Sequence, residues 1–237
     1  MHDAREGVPE RGPTGPVASS QRAATRWGGV GTRNPDAPGR RRFYARPMDM
    51  GERDAYLLNV VDVEATCWEG QPPPGQVSEI IEIGLTVVDL RAGERLAKHR
   101  LLVRPARSKV SPFCTELTGL TQAEVDAGLP FAEACRVLAA EHRTGLLPWA
   151  SWGDYDRNQF TRQCRATGTA YPFGQRHTNA KIAFTASYGL RRRPGMAQAL
   201  ETAGLPLEGR HHRGDDDAWN IAALVLDLVG RGDWATG

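Results

Sequence analysis

The chain predicts an α/β fold, a mixed β-sheet flanked by helices, on three observations. The run Tyr56 to Glu64 (YLLNVVDVE) is β-branched and nearly all apolar until its end, which is how a central strand buried on both faces reads. Two more strand-like runs follow it directly. The second half then alternates a short apolar run with amphipathic stretches, and strands followed by strand–helix alternation indicate a mixed sheet between helical layers.

Taken in order, Glu79 to Leu90 (EIIEIGLTVVDL) and Arg95 to Val103 (RLAKHRLLV) are the second and third strands, and the turn residues Arg91 to Glu94 favour an antiparallel meander. Thr121 opens a short helix through Glu124, because T-Q-A-E is a capping box. Pro130 to Arg143 is a longer amphipathic helix with proline in its first turn. Leu146 to Trp152 is a short apolar strand, and helices follow at Tyr155 to Ala166, Asn179 to Tyr188, Gly195 to Ala203 and Asp215 to Val229. There is no internal repeat.

A length of 237 residues suits one domain plus an extra segment. Residues 1 to 50 are rich in Gly, Pro, Ser and Arg without either hydrophobic period, so they read as a disordered tail ahead of a domain spanning 54 to 231. Arg40, Arg41 and Arg42 in that tail suit contact with RNA or DNA; the alternatives are a solvated tail, or a true start at Met48 or Met50. The net charge of +2 is small, yet almost all the positive charge is arginine, which favours bidentate phosphate contacts. Cys67, Cys114, Cys135 and Cys164 form no C-x-x-C pair, which argues against a zinc site or a disulfide framework and fits a reducing cytoplasm. No apolar run is long enough for a membrane span or a signal peptide, and no exposed heptad calls for an obligate protein partner.

Three short acidic stretches carry the chemistry. Along a strand the side-chain period is two, so Asp62 and Glu64 point to one face, roughly 7 Å apart at Cα, and both can reach one metal ion. The alternative is that the strand ends at Val61 and both acids are solvated loop residues. In the last helix Asp217 is in line with Ile221, Leu224 and Leu228, on the stripe that packs against the sheet, whereas Asp216 aligns with Asn220, Ala223 and Asp227 on a wetter face. Asp215 and Asp216 suit the positive end of the helix dipole; an inward Asp217 needs another partner. His212 stands five residues before Asp217 on a Gly-containing loop. Asp156 leads Phe160 and Cys164 on the apolar face of its helix, while Asp154 reads as a cap.

The elements DVEATCW, SPFCTELTGLT, ASWGDYD, H-x-N-x-K at His177 to Lys181, and HHRGDDDAWNIA together resemble the DEDDh (DnaQ-like) 3′-to-5′ exonucleases, in the branch of KapD and the enhanced-RNAi exoribonucleases. The resemblance runs in order from about Leu57 to Leu228. It implies a ribonuclease H-like α/β fold with a mixed five-stranded sheet flanked by helices on both sides. It also implies metal ligation by Asp62, Glu64, Asp156 and Asp217, with His212 and Glu64 catalytic, and two bound Mg2+ or Mn2+ ions. The segment Ser111 to Thr121, through Leu117 and Gly119, is implied to shape the pocket for the terminal nucleotide, with Glu64, Ala65, Thr66 and His212 against it. Ala180 stands where the family usually has leucine, and Asp215 where it more often has an apolar residue, which bears on how the loop after His212 is seated.

On this reading two ions held by four carboxylates activate a water at a phosphodiester, and His212 takes its proton. The expected partner is a single-stranded nucleic acid 3′ end, with RNA favoured, and the products are nucleoside 5′-monophosphates. Trp68, Phe113 and Trp152 are either base-stacking groups or core and rim residues. The rivals are a proofreading or repair DNA exonuclease, an enzyme for very short RNA fragments, and a non-catalytic binding module on the same fold.

Overall fold

The three long apolar runs form the expected meander. In the computed structural model, which describes residues 54–234, β1 (Leu57–Ala65) pairs antiparallel with β2 (Ile80–Asp89), and β2 pairs antiparallel with β3 (Glu94–Arg104). The N-terminal segment, with Arg40, Arg41 and Arg42, lies outside the described residues.

After the meander come α1 (Pro112–Thr118), α2 (Gln122–Asp126), β4 (Leu129–Pro130), α3 (Phe131–Glu141), β5 (Trp149–Ser151), α4 (Tyr155–Thr167), β6 (His177–Asn179), α5 (Ala180–Ser187), α6 (Met196–Ala203) and α7 (Gly214–Gly230). The capping box at Thr121 and Glu124 is present in full. The sheet order is β4-β3-β2-β1-β5-β6, with β5 and β6 running parallel to β1. The sheet therefore has six strands, one more than the five expected. Its two edge strands, β4 and β6, hold two and three residues, too short to show any period-two pattern. The segment expected to shape the nucleotide pocket contains the helix α1; Ser111 caps it by accepting from the Cys114 amide, and Gly119 ends it at φ 72°.

Both faces of β1 are covered. Leu58 and Val60 pack with Phe184, Leu200, Ile221 and Leu224 under α5, α6 and α7, while Val61 and Val63 pack with Leu138, Phe160 and Phe173 under α3 and α4. Each fully buried Leu or Ile contributes roughly 1.5–3 kcal/mol, which supports the polar groups that the same layers must also enclose. All four cysteines are free thiols. No helix among the described residues is long and apolar enough to cross a membrane.

Candidate active site

Two apolar stripes end in acids at the same place. On β1, Asp62 and Glu64 continue the Leu58–Val60 row by the strand's period of two. On α7, Asp217 continues the row of Ile221, Leu224 and Leu228, all 0 % exposed, and is itself 4 % exposed. The packing that buries the two stripes against each other brings the acids together: one carboxylate oxygen from each of Asp62, Glu64 and Asp217 lies within 4.8 Å of the others. The alternative of solvated loop acids does not hold, since β1 extends through Ala65 and Glu64 is 8 % exposed. A register shift at Glu64/Ala65 interrupts the β1–β2 ladder beside the site.

Asp156, in the first turn of α4, reaches β1 from the other side and accepts a hydrogen bond from the Val63 amide at 3.0 Å. It lines the same cavity but stands outside the set of three. Asp154 occupies the N-cap position without capping; its carboxylate accepts from Asn179 Nδ2 and pairs with Arg157.

The cavity holds about 380 Å³ and is lined by Asp62, Glu64, Ala65, Leu117, Asp156 and Asp217, with both His211 and His212. Trp152 and Lys181 form part of its wall, whereas Trp68 and Phe113 do not. Two of the expected substrate contacts are placed elsewhere. The Thr66 side chain is fully buried, its hydroxyl donating to the Val77 carbonyl and accepting from the Glu79 amide, so it has no group to offer the cavity. Gly119 is likewise off the cavity wall, packed against the Arg210 guanidinium.

Crowding of like charge sets the electrostatics. Burial and then the neighbouring Asp156, Glu64 and Asp217 push Asp62 well above the usual carboxylate range. Burial, followed by Asp217 and Glu82, raises Glu64 to about 8. Burial raises Asp156 to about 6 against the pull of the Val63 amide, and it raises Asp217 against the bond from His211. Hard oxygen donors at this spacing, each destabilised as an anion, fit a divalent cation.

Sequence reasoning missed two partners. His211, not His212, places its ring against Asp217, with Nδ1 at 3.0 Å from Oδ2, while His212 contributes its backbone amide to the same carboxylate. The rings of His211 and His212 stack at 4.0 Å. His212 sits at φ 64°, a left-handed conformation that turns the chain back toward α7. Its ring makes no hydrogen bond among the described residues and faces the cavity. The His–His doublet was the only signal available, and the spacing favoured the second member.

The other missed residue is Glu82 on β2. It is fully buried, pairs with Glu64 across the strands, accepts from the Gly214 amide at 2.7 Å and forms an ion pair with Arg100. Gly84, opposite Asp62, completes the seat: a Cβ there would lie 1.9 Å from the Gly214 carbonyl oxygen. The start of α7 is thus docked onto β2, and that docking sets Asp217 over β1. Asp215 points away to Lys98, with Oδ2 at 3.3 Å, and Asp216 also pairs with Lys98, so the added acid at 215 leaves the loop after His212 seated. Asn220 is not on a wet face as expected; it is fully buried and exchanges bonds with the Glu208 backbone.

Residues 60–225 match the family model described as exonuclease, RNase_T. The chain is 32% identical over 198 residues to the 3′-5′ exonuclease Snipper of Drosophila melanogaster, covering 74% of this chain and 69% of that protein. It is 31% identical over 191 residues to the 3′-5′ exoribonuclease 1 of Homo sapiens, covering 74% of this chain and 54% of that protein, so it spans about half the length of this relative. Among solved structures, the nuclease domain of 3′hExo, a DEDDh family member bound to rAMP, superposes with a TM-score of 0.69 at 28% identity, covering 75% of this chain and 93% of that one.

Proposed function

Since the chain belongs to the RNase_T exonuclease family, we propose that its cavity hydrolyses the last phosphodiester at the 3′ end of a single-stranded nucleic acid, RNA in preference, and releases nucleoside 5′-monophosphates. The observation that carries this reading is the convergence of Asp62, Glu64 and Asp217 within 4.8 Å in one cavity beside two histidines. RNA is favoured because the human relative is named an exoribonuclease and the 3′hExo structure holds rAMP.

In the reaction, the oxygen of a water attacks phosphorus while the bond from phosphorus to the preceding 3′ oxygen breaks, and that oxygen takes a proton from solvent and leaves as a hydroxyl. His212 takes the proton from the attacking water. Burial and the neighbouring His211 hold its imidazole below the ordinary range, so it is neutral and able to accept at pH 7. His211 orients Asp217 through its Nδ1 contact, and Asp156 is held in place by Val63. Asp62, Glu64, Asp156 and Asp217 would hold two Mg2+ or Mn2+ ions, which supply the positive charge that favours ionisation of water and departure of the 3′ oxygen. Leu117 and Ala65 line the cavity that takes the terminal nucleotide.

The test uses single-stranded RNA and DNA oligomers with free or blocked 3′ ends, with Mn2+ or with chelator, and mass analysis of products. The expected result is nucleoside 5′-monophosphates from free 3′ ends only, RNA faster than DNA, and no product in chelator. Equal cutting of blocked strands, or activity unaffected by chelation, overturns the reading.

A further inference from the structure

The H-x-N-x-K element is only partly used by the site described above. His177 meets the Ser151 hydroxyl at 2.9 Å, and Asn179 caps α5 while its side-chain amide donates to Asp154. Lys181, two residues further, lines the cavity, and its ammonium has no hydrogen-bond or ion-pair partner among the described residues. Gly195 and Met196 line the same cavity, and just before them, ahead of Pro194, runs the exposed sequence Arg191, Arg192, Arg193.

These three arginines differ from most others in the fold. Arg95 pairs with Glu208, Arg100 with Glu82, Arg143 with Asp54 and Arg157 with Asp154. Arg191, Arg192 and Arg193 have no partner among the described residues, and Glu201, the one acid of α6, forms no ion pair with them. They border an open groove of about 840 Å³ whose other lining includes Gln198 and Thr202. The segment is anchored although it is neither helix nor strand: Pro194 is buried, and its carbonyl accepts from Trp152 Nε1 at 3.2 Å, and Trp152 itself lines the cavity. Gly195, which lines the cavity, is two residues on from Arg193, a reach of at most about 7 Å at Cα. That is within a Debye length of roughly 8 Å at physiological salt.

Three adjacent guanidinium groups without counter-charge repel one another and are suited to planar, bidentate contact with phosphate. We propose that Lys181 with Arg191, Arg192 and Arg193 forms a phosphate track that holds the strand upstream of the nucleotide being removed. The proposal rests on the exonuclease reading, in which the cavity takes the terminal nucleotide and the nucleotides before it run outward, here along the groove that Arg191, Arg192 and Arg193 border.

The experiment compares the full chain with the triple variant Arg191→Ala/Arg192→Ala/Arg193→Ala and with its Lys counterpart. Binding of a labelled 20-nucleotide single-stranded RNA is followed in chelator across a salt series, and hydrolysis of the same 20-mer and of a dinucleotide is followed with Mn2+. Each phosphate contact adds roughly 0.7 to the slope of log affinity against log salt for a single strand. The Ala variant is expected to lose about 2 from the magnitude of that slope and to raise KM for the 20-mer roughly 10-fold, with kcat and dinucleotide hydrolysis close to wild type; the Lys variant is expected to keep most of the slope. Equal salt slopes in wild type and Ala variant, or an equal loss on the dinucleotide and the 20-mer, overturn the track. Failure of the wild type to cut either substrate overturns the exonuclease reading instead, while the binding arm still reports on the arginines.

Discussion

The two halves of the site are built differently. Asp62 and Glu64 belong to β1, a strand paired on both edges and covered on both faces, so their direction follows from the backbone period alone. His211, His212 and Asp217 belong to the loop and first turn that begin α7, and their placement depends on tertiary seats: Glu82 and Arg100 beneath Gly214, the space over Gly84, and the left-handed turn at His212. A strand-held ligand resists disturbance; a loop-held one is adjustable, which suits the member that must move a proton.

The largest effect separates ligands from neighbours. Asp62→Asn and Asp217→Asn each remove one anion from the set of three with little change of shape, and hydrolysis of single-stranded RNA is expected to fall on the order of 10³-fold or more in both. A loss confined to one of them would break the account of a shared cation. Next, the two histidines: His212→Ala is expected to cost roughly 10²–10⁴-fold in kcat as the proton acceptor, whereas His211→Ala, which only releases Asp217, is expected to cost about 10-fold, within the 10–100-fold range of groups that orient ligands. Reversal of that order would assign the proton transfer to the ring that touches Asp217.

The tertiary seat is tested by Gly84→Ala. Its added carbon meets backbone at 1.9 Å, so the start of α7 must shift; a stability loss of about 1–3 kcal/mol is expected in denaturant titration, with a fall in kcat larger than that of Gly70→Ala, whose added carbon meets nothing within 4 Å. Equal kinetics in the two would show that the loop-held half tolerates displacement.

The smallest effect lies under β5 and β6. His177 is pushed down to about 4, first by burial and then by Arg157. Between pH 4 and its ordinary 6.5 the unfolded chain binds a proton that the folded chain does not, so stability falls as pH drops through that window. His177→Gln removes that proton, and its loss of Tm between pH 7 and pH 4.5 is expected to be smaller than the wild type's by roughly 2–4 °C.

The same division explains what was legible in the sequence. Period two on YLLNVVDVE and period 3.6 behind Asp217 and Asp156 place four carboxylates without any tertiary information, because each period ties the acid to a row of buried Leu, Val, Ile or Phe. Glu82 carries no such mark: in IIEIG it looks like any strand residue, and only the docking of α7 shows what its carboxylate holds. His211 and His212 are one residue apart, and which ring meets Asp217 is decided by a single positive φ. Strands β4 and β6 are shorter than any period can reveal, and the Thr66 hydroxyl is claimed by neighbours 11 and 13 residues away.

Thermal unfolding with and without Mn2+ at pH 8, on the wild type and Asp217→Asn, tests the convergence of anions most directly. Burial and like charge raise Glu64 to about 8, so without a cation this cluster loses stability as pH rises through that value. The wild type is expected to gain roughly 5–10 °C in Tm with Mn2+ at about 100-fold its Kd, and Asp217→Asn to gain little while unfolding no lower than the wild type in chelator. A wild-type Tm indifferent to Mn2+, or an equal gain in the variant, would contradict the claim that these carboxylates share a cation.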